Sequence, residues 1–258
     1  MATLIDGSEW FRVLKPVGNS SLRLLCFPHA GGSANFFHPW SRFVPDGVEL
    51  VAARYPGREE RILDSSATSM GELVEDLAHA CEAFKGSELI LLGHSMGASV
   101  AHELALTLED RDVDLRGLIV SGRAGPQDQC TRDVRAMSDA ELMEEICGFG
   151  GTDPRAFQSE ELRELFLPPV RADYELLRAY VPTMDERLSV PVMAYYGDQD
   201  PDLSPGAVGS WESVTRSSFT MRDFPGGHFY VSEHAGAVLQ DAFSRLLPVT
   251  GVGARTSL

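Results

Sequence analysis

The sequence has few lysines, no excess of basic residues and no long apolar run. The last two absences each exclude a class of protein. Only two of its 22 basic residues are Lys, and 38 acidic residues give a net charge of −16. A surface this acidic repels nucleic acid and anionic lipid, and no basic stripe offsets that repulsion. Since no 18 consecutive residues are apolar, we predict no membrane-spanning helix.

Cysteine is also scarce, and its spacing excludes common metal and redox motifs. The four cysteines are Cys26, Cys81, Cys130 and Cys147, and none forms a C-x-x-C pair. The N-terminus has no basic segment followed by an apolar one, so we expect a cytoplasmic location without a secretory signal. Disulfides are not expected in that compartment, and we interpret Cys26 and Cys81 as small core residues.

Six short apolar runs alternate with helical patterns along the chain. The runs are continuous, as expected for strands covered on both faces of a parallel sheet. The clearest helical pattern, residues 69–84, begins with Ser69 and Glu72 at the spacing of a capping box. The sequence therefore predicts one α/β domain over residues 1–258, with a mostly parallel sheet and helices on both faces. The predicted strands are 22–27, 48–53, 88–93, 115–121, 190–197 and 219–224.

One connection is far longer than a crossover requires. About seventy residues separate the strands at 115–121 and 190–197, and they contain two helical patterns. We interpret residues 125–185, approximately, as an inserted helical lid over the carboxyl edge of the sheet. Its apolar side chains either pack the lid or contact a substrate; they are Leu142, Ile146, Phe149, Leu162, Leu165 and Phe166.

The stretch GHSMG, residues 93–97, follows an apolar strand and opens a helix. This is the structural context of the G-x-S-x-G nucleophile elbow. Gly93 and Gly97 relieve crowding in the tight turn, and Ser95 lies at a helix N-terminus that favours negative charge. We therefore predict that Ser95 is a nucleophile, with the side chain of His94 pointing away from it.

A serine nucleophile needs a base that is oriented by an acid, and this fold orders them Ser, Asp or Glu, His along the chain. His228 lies in a Gly-Gly turn after the last strand and is the predicted base, with His234 as the weaker alternative. Asp200 follows the end of the preceding strand and is the predicted acid, but Asp198 and Asp202 stay open as alternatives.

An oxyanion hole needs two backbone N–H groups, one of them from the residue after the nucleophile. That residue is Met96. The second donor is expected in the HAGG turn after the first predicted strand, with Ala30 as the best candidate and Gly31 next.

Taken together, six motifs resemble the stand-alone type II thioesterases of polyketide and non-ribosomal peptide synthases. The resemblance spans about residues 20–235 and implies an α/β-hydrolase fold with a helical lid. It also implies hydrolysis of acyl groups from the phosphopantetheine arm of carrier proteins, which removes stalled or wrongly primed chains. The family's catalytic triad falls on Ser95, Asp200 and His228, its oxyanion donors fall on Ala30 and Met96, and no metal or organic cofactor is needed. The motifs are FPHAGGSANFF (27–37), YPGREERI (55–62), GHSMGA (93–98), LPPVRADYELLRAY (167–180), GDQDP (197–201) and PGGHFY (225–230).

Carrier proteins are generally acidic, so long-range attraction to this acidic chain cannot drive docking. Either a local basic cluster of Arg54, Arg58 and Arg61 binds the carrier, or the contact is weak and apolar; a solvated loop is an equal interpretation of the cluster. We expect a monomer by default.

Three other functions stay open at this point. A medium-chain fatty acyl-carrier thioesterase and a general carboxylesterase would share the triad, and a non-catalytic binding protein could use the same scaffold. A long apolar tunnel would favour a fatty acyl chain, and a short chamber would favour short acyl units.

Overall fold

A computed structural model describes residues 9–129, 133–149 and 159–247; Cys130, part of the predicted lid and both chain ends lie outside the described residues. Within these ranges, seven strands form a sheet in the order β1-β3-β2-β4-β5-β6-β7. Every neighbouring pair is parallel except β1 and β3. The strands are β1 (Phe11–Lys15), β2 (Leu22–Phe27), β3 (Val48–Ala53), β4 (Glu88–His94), β5 (Leu115–Ser121), β6 (Val192–Gly197) and β7 (Phe219–Phe224).

All six predicted strands are confirmed, with ends that differ by at most two residues. The prediction missed β1, which lies at the edge of the sheet and pairs antiparallel with β3. Only Phe11 of this strand is buried, because an edge strand has a neighbour on one side alone. Its short, partly polar sequence therefore lacks the apolar run that identifies the five strands inside the sheet.

Successive residues of the central strand β4 face opposite sides of the sheet, and each side has its own core. Leu89 and Leu91 pack in a cluster with α1 (Met70–Ala80) and α2 (Met96–Asp110). Ile90 and Leu92 pack in a second cluster with α6 (Tyr230–Leu246). The predicted coverage of both faces is thereby confirmed. None of the helices in the described ranges is long and apolar enough to cross a membrane.

The buried cysteines and the first helix cap agree with the sequence interpretation in most respects. Cys26 and Cys81 are fully buried, and burial raises the pKa of both thiols. Ser69 caps α1 by accepting a hydrogen bond from the Glu72 N–H at 3.1 Å. The predicted capping box is wrong in its second half, because the Glu72 carboxylate accepts from the N–H and hydroxyl of Thr68 instead.

In the described part of the long connection between β5 and β6 lie two α-helices, α3 (Asp139–Gly148) and α4 (Glu160–Ala179), which we call the lid helices. Leu142 of α3 is fully buried and packs in a separate cluster with Leu167 and Val170 of α4. Three other apolar residues of the predicted lid are more than a third exposed and so are not core residues of the lid; they are Leu162, Leu165 and Phe166. A short helix, α5 (Pro205–Gly209), follows β6.

A carboxylate of α2 holds the chain that leaves α4. Glu103 accepts hydrogen bonds from the Tyr180 hydroxyl and, at 3.0 and 2.7 Å, from the backbone N–H and hydroxyl of Thr183. Burial alone would raise the pKa of Glu103. The nearby His102 ring, Thr183 and Tyr180 outweigh that effect and lower the pKa to about 2. The ionised form of Glu103 therefore stabilises the attachment of the lid helices to the core.

Substitution Glu103→Gln should lower the free energy of unfolding at pH 7 by about 1.5–3 kcal/mol, the usual contribution of hydrogen bonds to a charged acceptor. A depressed carboxyl pKa stabilises the fold above the unfolded value of about 4.3, and this contribution is lost as the pH falls toward 2. Urea unfolding of both proteins between pH 7 and pH 2 should show the gap between them closing over that window. The exposed Glu212→Gln serves as control; a gap that is constant with pH would contradict the prediction.

Candidate active site

A single residue, Ser95, joins β4 to α2. The turn is too tight for a side chain two residues before Ser95, at Gly93, or two residues after it, at Gly97. Ser95 has φ 55° and ψ −118°, a conformation that costs a non-glycine residue about 1–3 kcal/mol. A Cβ at Gly93 would lie 2.0 Å from the Gly97 carbonyl oxygen, and one at Gly97 would lie 1.9 Å from the Phe27 carbonyl oxygen. Both glycines are therefore steric requirements of the turn, as predicted.

Ser95 opens into a cavity of about 350 Å³. Ala30 and His228 line the same cavity, so the structure brings three of the predicted site residues together. The lid helices supply part of the wall: Ile146 from α3 and Leu177 from α4 face the cavity. Part of the predicted lid therefore surrounds the space in front of Ser95.

His228 is held by one of the three candidate carboxylates. Its Nδ1 lies 2.7 Å from Oδ2 of Asp200, whose side chain is fully buried. The other oxygen of Asp200 accepts a hydrogen bond from the Asp202 N–H at 3.1 Å. The alternative histidine, His234, lies on α6 with its ring 6.1 Å from that of Phe224. The geometry thus favours Asp200 and His228 as the interacting pair.

The two remaining carboxylates of this loop are exposed and have other partners. Asp198 accepts a hydrogen bond from the Gly226 N–H at 2.9 Å, which joins the loop after β6 to the loop that carries His228. Asp202 lies at the rim of the cavity. Asp198 therefore shapes the histidine loop from outside, while Asp200 contacts the imidazole itself.

Two further histidines lie beside His228, and both are neutral. Nδ1 of His94 lies 3.0 Å from the Ser121 hydroxyl, which in turn lies 2.7 Å from the hydroxyl of Tyr230, so this nitrogen is linked through hydrogen bonds to side chains of β5 and α6. Burial, and then the charge of His228, lower the pKa of His29 to about 3 and that of His94 well below its usual value. Neither His29 nor His94 therefore carries a positive charge beside the cavity at neutral pH.

The two predicted oxyanion donors, Met96 and Ala30, belong to different elements of the fold. Met96 is the first residue of α2, so its N–H has no acceptor within the helix. Ala30 lines the cavity in the turn after β2. The N–H of the alternative donor, Gly31, instead donates at 2.7 Å to Oδ2 of Asp173 in α4. The structure therefore favours Ala30 over Gly31 as the second donor.

The proposed docking role of Arg58 is wrong, because this side chain is buried. It is only 6% exposed and forms a two-pronged ion pair with Asp173, at 2.7 and 2.9 Å. Arg54 pairs with Glu60, and the guanidinium of Arg61 lies 4.0 Å above a tryptophan ring. The three arginines thus serve internal contacts, a role that the charge pattern of the sequence does not distinguish from a surface cluster.

Comparison with known proteins identifies relatives that match most of the chain. A model of the thioesterase domain matches residues 22–246. The chain is 38% identical to thioesterase PikA5 of Streptomyces venezuelae over 249 residues, which cover 96% of this chain and 89% of PikA5.

Two solved structures of type II thioesterases superpose closely. BorB, from the borrelidin biosynthetic cluster, gives a TM-score of 0.84 at 36% identity over 92% of this chain and 97% of BorB. YbtT, from the yersiniabactin NRPS/PKS pathway, gives 0.83 at 30% identity over 92% and 98%. These neighbours confirm the predicted α/β-hydrolase fold.

Substitution Gly97→Ala should prevent correct packing of α2 on β2, because the new methyl group would meet the Phe27 backbone rather than a movable side chain. We expect a loss of more than about 4 kcal/mol in unfolding free energy, the range reserved for severe core disruption. Gly71→Ala is the matched control, since a methyl group there meets nothing within 4 Å and favours the helix by about 0.5–1 kcal/mol. Thermal unfolding of both variants tests this; similar melting temperatures would contradict it.

Proposed function

The chain belongs to the thioesterase family, and we propose from this premise that it is a stand-alone editing thioesterase. Its substrates are acyl groups held as thioesters on the phosphopantetheine arm of acyl or peptidyl carrier proteins in polyketide or non-ribosomal peptide synthesis. It releases aberrant or stalled groups as free acids. The observation that carries the proposal is the single cavity shared by Ser95, His228 and Ala30, with His228 held by the buried Asp200.

In the proposed mechanism, Ser95 Oγ attacks the thioester carbonyl while His228 takes the hydroxyl proton. Asp200 keeps the imidazole oriented through Nδ1 and stabilises its positive charge. The N–H groups of Ala30 and Met96 donate to the oxyanion, and each such donor is worth about 2.7–4 kcal/mol in comparable sites. The C–S bond then breaks, and His228 returns the proton to the departing thiolate.

The second half of the reaction repeats these roles with water. His228 removes a proton from a water molecule that attacks the acyl-serine carbonyl, and the same N–H groups stabilise the new oxyanion. The C–O bond to Ser95 breaks, and Ser95 regains its proton from His228. The neutral His29 and His94 support this cycle, because they leave His228 as the group that exchanges the proton.

The size of the cavity favours short acyl units over a medium-chain fatty acyl group. Its volume of about 350 Å³ lies near the lower end of the range of about 300–1,000 Å³ for ligand pockets. The aromatic rings of Phe149 and Phe229 close two sides of it. A fatty acyl-carrier thioesterase and a general carboxylesterase remain the alternative functions, and hydrolysis rates across chain lengths and leaving groups distinguish them.

Carrier docking by a basic patch at Arg58 is ruled out by its burial, which leaves the weak apolar contact as the proposed mode. Such a contact suits an enzyme that samples many carriers. We further propose that the protein is a cytoplasmic monomer and that residues 1–258 form one domain with the lid inserted at about 125–185.

Ser95→Ala should abolish hydrolysis of acyl-pantetheine substrates, with a fall in kcat of at least about 10⁴-fold, because the remaining groups cannot form the acyl intermediate. A series from acetyl to decanoyl thioesters, with matched oxygen esters, should show thioesters and short chains preferred by the wild type. Wild-type turnover by the variant would reject Ser95 as nucleophile. Equal rates on oxygen esters, or a maximum at decanoyl, would favour one of the alternative functions.

Separate Asn substitutions at the three loop carboxylates should identify the acid of the triad. Asp200→Asn should lower kcat on the order of 10⁴-fold, because the imidazole loses the partner that fixes its tautomer. Asp198→Asn and Asp202→Asn should cost less than about tenfold, since the Asp198 carboxylate binds the Gly226 N–H and the bond to His228 Nδ1 is made by Asp200. Steady-state kinetics on one short acyl-pantetheine provides the comparison. A larger loss at 198 or 202 than at 200 would overturn the assignment.

A further inference from the structure

A buried ion pair joins the lid to the turn that carries Ala30. Arg58, in the loop after β3, and Asp173, in α4, each expose only 7% of their side chains. Their two hydrogen bonds, at 2.7 and 2.9 Å, form a fork on the carboxylate. Attraction to Asp173 outweighs the cost of burial and raises the pKa of Arg58 above its ordinary value. The guanidinium is therefore charged, and the two hydrogen bonds fix the pair in one geometry.

Both partners also bind the backbone of the glycine turn. Asp173 Oδ2 accepts from the Gly31 N–H at 2.7 Å, and Arg58 Nη1 donates to the Gly32 carbonyl oxygen at 3.1 Å. These two bonds fix the peptides on either side of the turn. The Ala30 N–H belongs to the preceding peptide, whose carbonyl oxygen on His29 accepts from the Gly32 N–H at 2.9 Å, so the bonds of this turn together limit the direction of the Ala30 N–H.

Close packing of α4 on the glycine turn also holds the backbone next to Ala30 in place. Gly31 has φ +73°, and a Cβ there would lie 2.5 Å from Cγ2 of Val170, one turn of α4 before Asp173. The backbone of the turn is therefore pressed against the helix with no room for a side chain. Because the Gly31 N–H is satisfied by Asp173, Ala30 is the remaining candidate of the two to donate to the oxyanion.

We propose that Asp173 and Arg58 are positioning residues of the oxyanion hole. They hold the Gly31 and Gly32 peptides so that the Ala30 N–H meets the developing negative charge, and a lid helix thereby becomes part of the catalytic geometry. The inference rests on the proposed function only for the identity of the substrate. Its physical content is the stabilisation of an oxyanion at Ser95, which any acylating or phosphonylating reagent tests.

The test compares Asp173→Asn and Arg58→Lys with Glu49→Gln. Glu49 is a matched control: it is equally buried and accepts from Arg23 at 2.7 Å and from the Val17 N–H at 3.2 Å. Glu49 is the second residue of β3 and lies opposite Arg23, the second residue of β2. The pair is therefore at the amino ends of these strands, whereas Ser95 follows the carboxyl end of β4. All three variants lose part of a buried ion pair, and two of them touch the oxyanion turn.

Two readouts are measured on full-length protein: hydrolysis of a short acyl-pantetheine, and the rate at which a fluorophosphonate labels Ser95. We expect Asp173→Asn to lower kcat about 100- to 1,000-fold with KM changed less than threefold, the pattern for loss of one oxyanion donor. Labelling should slow by a similar factor. Arg58→Lys should lie between this variant and the wild type, because Lys keeps the charge but not the fork. Glu49→Gln should lower the melting temperature with kcat within twofold of the wild type.

The outcomes separate this inference from the proposed function. If Asp173→Asn and Arg58→Lys lose stability as Glu49→Gln does while kcat and labelling stay at wild-type rates, the pair is structural and the inference is overturned. An effect confined to KM overturns it as well. If the wild type is labelled but hydrolyses no thioester, the proposed function fails, and slow labelling of the variants still supports the inference. Should Asp173→Asn fail to fold, Arg58→Lys decides by the same criteria.

Discussion

The close approach of α2 to β2 and β4 is the constraint on which the rest of the site depends. It is possible only because Gly97 brings no side chain to the Phe27 carbonyl, and it leaves one residue for the turn between strand and helix. That residue, Ser95, is forced into a conformation with positive φ, stabilised by the bond from its N–H to the Ser121 carbonyl at 2.8 Å. The strain directs its side chain into the cavity and puts the first N–H of α2 beside it.

Of the two lid helices, α4 is the one held to the core by hydrogen-bonded carboxylates. The helix α4 is attached near its middle by Asp173 and beyond its end by Glu103, both through buried or half-buried carboxylates. Its residues Tyr174 and Leu177 face the cavity from between these attachments. The wall that they form is therefore attached to the core at two points. Ile146 and Phe149, in and directly after α3, supply the other part of the lid wall.

Much of this arrangement was predictable, because the features that create it have local signals. Apolar runs identify the five strands inside the sheet, and the elbow around Ser95 follows from the order of strand, glycines and helix. The relation of Asp200 to His228 follows from chain order, although the sequence alone leaves three nearby carboxylates as candidates for the acid. Edge strand β1 was missed because Arg12 and Lys15 interrupt its short apolar pattern.

The role of Arg58 was not predictable in the same way. Its loop also contains exposed Glu60, so charge alone indicates a solvated surface, and its partner Asp173 lies 115 residues away in a helix of the lid. A pairing across such a distance leaves no periodicity or spacing to detect. The YPGR and RADY motifs were visible as parts of a family resemblance, yet only three-dimensional contact explains why the two occur together.

The bond between Gly31 and Asp173 spans 142 positions of the chain, and this separation matters for how the protein folds during its own translation. During translation the glycine turn is made early. Its partner Asp173 is translated only after β5, α3 and the first part of α4. The first half of the protein can build β2, β3 and β4 and even the elbow, while the turn beside them still lacks its brace. A chain released before α4 is complete would thus carry its nucleophile without the fixed turn that faces it, and competence would come with the closing of this one long-range contact.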